Sequence, residues 1–130
     1  MKDLDINRLT DCVLGAAIEV HRALGPGLLE SAYEKCLCRE FDLRNLHYQR
    51  QLFMPSRYKE IVLENAYRLD LLVEDQLVLD IKAVEKLLPV HEAQIMTYLR
   101  LGNWPVGLLL NFNAVLLKDG IRRIVNNLQE

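Results

Sequence analysis

Two aspartates and a lysine close together in the chain carry the clearest chemical signal. The stretch Tyr67-Arg68-Leu69-Asp70-Leu71-Leu72-Val73, then Glu74-Asp75-Gln76, then Leu77-Val78-Leu79-Asp80-Ile81-Lys82-Ala83 alternates as a β-hairpin should. A three-residue loop at Glu74-Asp75-Gln76 sets Val73 opposite Leu77. One face then stacks Tyr67/Ala83, Leu69/Ile81, Leu71/Leu79 and Val73/Leu77, all apolar. The other face stacks Arg68/Lys82, Asp70/Asp80 and Leu72/Val78. A two-residue loop would mix both faces and expose core residues, so the apolar pattern selects the first register. Asp70 and Asp80 are therefore expected opposite each other, beside Lys82. Like charges across a ladder destabilise by roughly 0.2–1 kcal/mol. Either Lys82 and solvent neutralise the pair, or a hard divalent cation does, since Mg²⁺ takes one or two carboxylates and completes its octahedron with water and phosphate.

Glu30 stands in the first turn of a helix, where it favours the helix dipole by roughly 0.3–1 kcal/mol and is also free to serve a site. His91, Gln94 and Tyr98 form a polar stripe at i, i+3 and i+7 of another helix. Such a stripe is either a solvent face or a set of donors suited to phosphate oxygens or a bound water.

These residues need a scaffold. Leu9, Val13, Ala16, Ala17, Val20 and Leu24 recur at helical spacing, and Gly25-Pro26-Gly27 ends that first helix. Leu29, Ala32, Tyr33, Cys36, Leu37 and Phe41 form the buried stripe of a second. The period then turns toward two, predicting strands near Tyr48–Met54, Tyr58–Leu63, Ala66–Glu74 and Leu77–Ala83. Pro89 opens a third helix, Val90–Leu101, and Val106–Phe112 reads as a strand covered on both faces. The tail, Leu116 to Val125, fits a terminal hairpin or a short helix. The expectation is one α/β domain over residues 1–130, in the order α-α-β-β-β-β-α-β.

The 130 residues are 51% hydrophobic and 26% charged, which suits one cored domain and excludes a disordered chain. Sixteen basic against eighteen acidic residues leave a charge of −2, so nucleic acid can be held only by a locally arranged site. Residues 65–99 carry three basic and six acidic side chains, a net −3. Residues 100–130 carry four basic and two acidic ones, with Arg100, Arg122 and Arg123 as candidate backbone contacts. No long basic stripe or aromatic platform is visible, and Trp104 reads as a packing residue. Cys12, Cys36 and Cys38 make no even framework, no signal peptide is evident, and no stretch nears the roughly 18 apolar residues of a membrane span. A cytoplasmic setting without membrane contact is expected.

Gly27-Leu28-Leu29-Glu30-Ser31-Ala32-Tyr33 resembles the signature of the small bacterial GxxExxY proteins, assigned to the PD-(D/E)XK nuclease-like superfamily. Asp70 with Asp80-Ile81-Lys82 resembles that superfamily's metal-binding motif, and Gln94 with Tyr98 its Gln-x-x-x-Tyr element. Leu69 stands where relatives have proline, and Asp80 where many have Glu. The resemblance implies a restriction-endonuclease-like core, a mixed central sheet flanked by helices. It implies metal-dependent phosphodiester hydrolysis of nucleic acid, DNA first, and the charge balance adds that such binding is weak and strongly salt-dependent. Asp70, Asp80, Glu30 and the Ile81 carbonyl would ligate Mg²⁺ or Mn²⁺, and Lys82 would hold the attacking water. Gln94, Tyr98 and Tyr33 would orient substrate or water, with His91 a lesser candidate. The competing expectation is a catalytically silent interaction module or homodimeric scaffold, and a small phosphate ester as substrate would use the same site.

Overall fold

In the computed structural model, which describes residues 5–126, the chain folds as helix α1 (Ile6–Leu24), helix α2 (Glu30–Leu43), strands β1 (Tyr48–Tyr58), β2 (Ile61–Val73) and β3 (Leu77–Lys82), helix α3 (Pro89–Gly102), strand β4 (Val106–Asn111), a 3₁₀ turn (Leu117–Gly120) and strand β5 (Ile121–Val125). Asp5 starts α1 by accepting the Asn7 and Arg8 N–H groups, each at 3.0 Å. Gly25 stops it at φ 70°, giving its N–H to the His21 carbonyl at 2.8 Å.

One five-stranded sheet runs in spatial order β1-β2-β3-β4-β5. Neighbouring strands are antiparallel except β3 and β4, which lie parallel because α3 carries the chain across between them. Helices α1 and α2 cover one face, where Leu9, Val13, Tyr33, Leu37 and Phe41 pack on Leu71, Leu79, Ile81 and Leu110. Helix α3 covers the other face, where Ile95 and Leu99 meet Leu69, Leu72, Val78 and Leu109. Strand β4 is buried throughout, as its apolar run requires. Trp104 packs in the α3 cluster over Gly102, where an added Cβ would lie 2.0 Å from its ring.

The mixed sheet flanked by helices is the architecture expected, with one strand fewer before α3. Tyr58–Leu63 is not a strand of its own. It is the turn of a long hairpin, with Lys59 at φ 53° between the end of β1 and the start of β2. The tail forms no hairpin with itself either, because β5 pairs with β4.

The register at the β2–β3 turn is the one the apolar pattern selects: Val73 faces Leu77, Leu72 faces Val78 and Leu71 faces Leu79. Glu74 and Asp75 make the turn at φ 50° and 58°. Beyond Leu71 the expected stacking breaks. Tyr67 and Leu69 pack toward α3 with Leu72, while Leu71 packs toward α1 and α2. The cause lies across the ladder, where Gln51 adopts φ 49° and interrupts the pairing between Arg50/Leu71 and Leu52/Leu69. Alternation restarts on the other side of that interruption.

Candidate functional site

Asp70 sits at the interruption. Its Oδ2 accepts the Ile81 N–H at 2.8 Å, standing in for the ladder bond that the strands no longer make. Asp80 lies within hydrogen-bonding reach of Asp70, is only 6% exposed, and takes the Lys82 ammonium on Oδ1 at 3.1 Å. The two acids and the lysine that the sequence pairs are therefore gathered at one point, through a break in the ladder and not through a regular cross-strand pair.

Helix α2 closes the site from the side. Glu30 Oε2 accepts the Ala83 N–H at 3.2 Å, tying the start of the helix to the end of β3. Four residues on, Glu34 is buried and holds Arg50 (Nη2 at 2.9 Å) and Gln51 (Nε2 at 2.6 Å). Glu30, Glu34, Arg50, Arg68, Asp70 and Ile81 line a cleft of about 400 Å³. Glu34, Arg50 and Gln51 escape a sequence reading, although Glu34 lies at i+4 from Glu30 and so on the same helix face.

The electrostatics follow from burial. Burial pushes the Asp70 carboxyl up to about 6 from its ordinary 3.8; Asp80 and Glu34 push the same way and the Ile81 N–H opposes. Burial pulls the Lys82 ammonium down, but Asp80, Glu30 and Asp70 together outweigh it and hold it above its usual value. Tyr98 is raised first by burial and then by Asp80, so its phenol keeps its proton, and its ring stacks on Tyr67 at 4.8 Å.

Two expected residues, Tyr33 and His91, serve elsewhere. Tyr33 does not reach the cleft: it is fully buried against Phe112, its hydroxyl donating to the Gly25 carbonyl at 2.6 Å and accepting the Leu28 N–H at 3.0 Å. It shapes the loop that delivers Glu30, with Gly27 at φ 104° making the bend. His91 Nδ1 accepts the Leu88 N–H at 3.0 Å and caps α3. Gln94 is exposed on α3. The cations of the C-terminal stretch are also displaced: Arg122 and Arg123 lie on β5, at the opposite sheet edge from the β1–β2 hairpin, bonded to Ile121 and Asn7. Asn111, missed in the sequence, is buried and clamps Val84 through both its N–H and carbonyl, fixing the chain just after Lys82.

Paired acids with a charged lysine beside them suit a hard cation and a phosphate group. Among the described residues no three His, Cys, Asp or Glu side chains stand close enough to cage a metal. Mg²⁺ does not need a cage, since one or two carboxylates suffice with water and phosphate completing the shell. The crowding that raises Asp70 is the strain such a cation relieves, so the donor set fits an open site. Fold and site together define an α/β domain with an acid–lysine cluster beside a cleft at the break between two strands. The model of the PD-(D/E)XK nuclease superfamily matches residues 7–124, and the chain belongs to that superfamily, whose nucleases typically use divalent metal ions. Comparison with curated proteins and with solved structures found no match in either. No helix among the described residues is long and apolar enough to cross a membrane.

Proposed function

We propose that this chain, as one nuclease-like domain of the GxxExxY kind, hydrolyses phosphodiester bonds of nucleic acid, DNA first, with Mg²⁺ or Mn²⁺. The observation that carries the reading is the convergence of Asp70, Asp80 and Lys82 beside an open cleft. Asp70 and Asp80 would hold the cation, with the Ile81 carbonyl as a further ligand and Glu30 reaching it directly or through water. A divalent cation there lowers the pKa of water and polarises the scissile phosphate.

The remaining work belongs to the chain. Lys82, kept protonated by its acidic neighbours, has hydrogen-bond donors and no acceptor. It orients the attacking water and offsets the negative charge that grows on the phosphate, and it cannot take the proton. Tyr98, also protonated, donates to a phosphate oxygen from the α3 side, and Gln94 extends that face toward substrate. Glu34 and Arg50 brace the wall of the cleft.

The test is cleavage of labelled single- and double-stranded DNA and RNA with and without Mg²⁺ or Mn²⁺. Lys82→Ala is expected to slow metal-dependent cleavage by about 10²–10³-fold, the scale of losing one electrostatic donor, and Asp80→Ala to abolish it. Cleavage that persists in both folded variants contradicts the assignment.

A further inference from the structure

The β1–β2 hairpin extends well past the sheet. Strand β3 pairs with β2 only at Leu71, Leu72 and Val73, so the hairpin from Leu52 to Leu69 has no strand neighbour beside it. A two-stranded ribbon is marginal by itself in water. Helix α3 supports one face of its base, through Leu52, Met54, Tyr67 and Leu69. The opposite face borders the cleft beside α2 at Arg68 and is exposed at Phe53. Alternation puts Phe53 on that face with Arg68 directly across from it, and Arg57, across from Val62, is exposed beyond the bulge.

The chemistry of that face is selective. Phe53 is 55% exposed, an aromatic ring offered to solvent. Neither the Arg57 nor the Arg68 side chain forms an ion pair or hydrogen bond with another described residue. The acids nearest Arg68 are those of the cleft, Glu30, Glu34 and Asp70, while Phe53 and Arg57 lie farther out along the ribbon. Arg68 also lines the acidic cleft, so the face leads straight into it. Phe53 and Arg57 stand roughly 13 Å apart along the strand. An exposed ring between guanidiniums is what an unpaired nucleic-acid strand requires: bases stack on the ring and phosphates meet the arginines.

We propose that this face of the ribbon is the track along which single-stranded nucleic acid enters the cleft, with Phe53 stacking on a base and Arg57 and Arg68 holding phosphates. The proposal rests on the nuclease reading for its choice of partner. It also resolves the charge balance, because a chain of net charge −2 must gather its phosphate contacts locally.

The test is fluorescence anisotropy with a labelled 20-nucleotide DNA, single-stranded and as a duplex, without divalent cation so that binding is read apart from cleavage. Phe53, Arg57 and Arg68 are exposed, and thermal unfolding confirms that each variant, the buried Asp80→Ala included, folds. Phe53→Ala should weaken single-strand binding at least about fivefold and leave duplex binding unchanged. Arg57→Ala with Arg68→Ala should flatten the slope of log affinity against log salt by about 1.4, near 0.7 for each lost phosphate contact. Unchanged affinity and slope in both variants overturn the proposal, as does equal loss for duplex and single strand in Phe53→Ala. A dimer that the substitutions dissociate while oligonucleotide binding stays intact also overturns it, making the face a contact between copies. Asp80→Ala separates the two readings: it should bind like the native chain and cleave nothing. Metal-dependent cleavage with an indifferent ribbon defeats the track alone, and ribbon-dependent binding without cleavage defeats the nuclease alone.

Discussion

Asp70 carries two duties that conflict. Its carboxylate replaces a ladder bond by taking the Ile81 N–H, yet it does so buried beside Asp80, which raises it to about 6. A carboxyl raised in the folded state stabilises that state while it holds its proton. That contribution is complete below about pH 4, the ordinary carboxylate value, and is lost as pH rises through about 6. The cation-free protein should therefore lose stability across that window. Asp70→Asn keeps an acceptor for Ile81 and removes the charge. Its melting temperature at pH 7.5 is expected to exceed that of the native chain, with the gain vanishing at pH 4, while cleavage is lost. A lower melting temperature at pH 7.5 would show that the charge is not the source of the strain. The acids and Lys82 were legible because a hairpin with one apolar face leaves its polar residues no other register. The break at Gln51 was not legible, since nothing in the residue types of Arg50-Gln51-Leu52 announces a positive φ.

At the scale of elements, the loop into α2 decides where Glu30 stands. Tyr33 anchors it from inside the core, bonding Gly25 and Leu28 while stacked on Phe112 at 4.6 Å. The Gly27–Glu30–Tyr33 spacing thus divides into a bend, a site carboxylate and an internal brace. Helical spacing already put Tyr33 on the buried stripe, and it was the family resemblance that set it beside the substrate. Tyr33→Phe removes both hydrogen bonds of the hydroxyl, to the half-buried Gly25 carbonyl and from the Leu28 N–H, and should cost about 1–3 kcal/mol in denaturant unfolding. A loss below about 0.5 kcal/mol would mean that water satisfies the loop without the hydroxyl. Helical periodicity exposed all three helices, whereas the long hairpin read as three short strands because the residues around its turn, Tyr58 and Ile61 to Leu63, are apolar on both sides. Partner choice in β5 was equally hidden, since its five residues say nothing about β4.

For the whole molecule, sheet order separates the functions. Strand β3 brings Asp80 and Lys82 to the centre of the sheet, the ribbon projects from the β1 edge, and the cations of β5 lie at the opposite edge. Bulk charge and the C-terminal arginines pointed away from the cation-bearing wall, because charge counted along the chain does not follow charge gathered in space. Arg50 stands between two glutamines and Arg68 between Tyr67 and Leu69, eighteen residues apart, yet both line the acidic cleft. A cation bound between Asp70 and Asp80 must displace the Asp70 proton, which couples its affinity to pH. The most direct measurement is calorimetric titration of the chain with Mn²⁺ at pH 7.5 and pH 5, repeated with the Asp70→Asn, Asp80→Asn double variant. One site is expected at pH 7.5, about tenfold weaker at pH 5 and absent in the double variant. Absence of binding at millimolar Mn²⁺, or a site of equal strength in the variant, would contradict a cation held by these two acids.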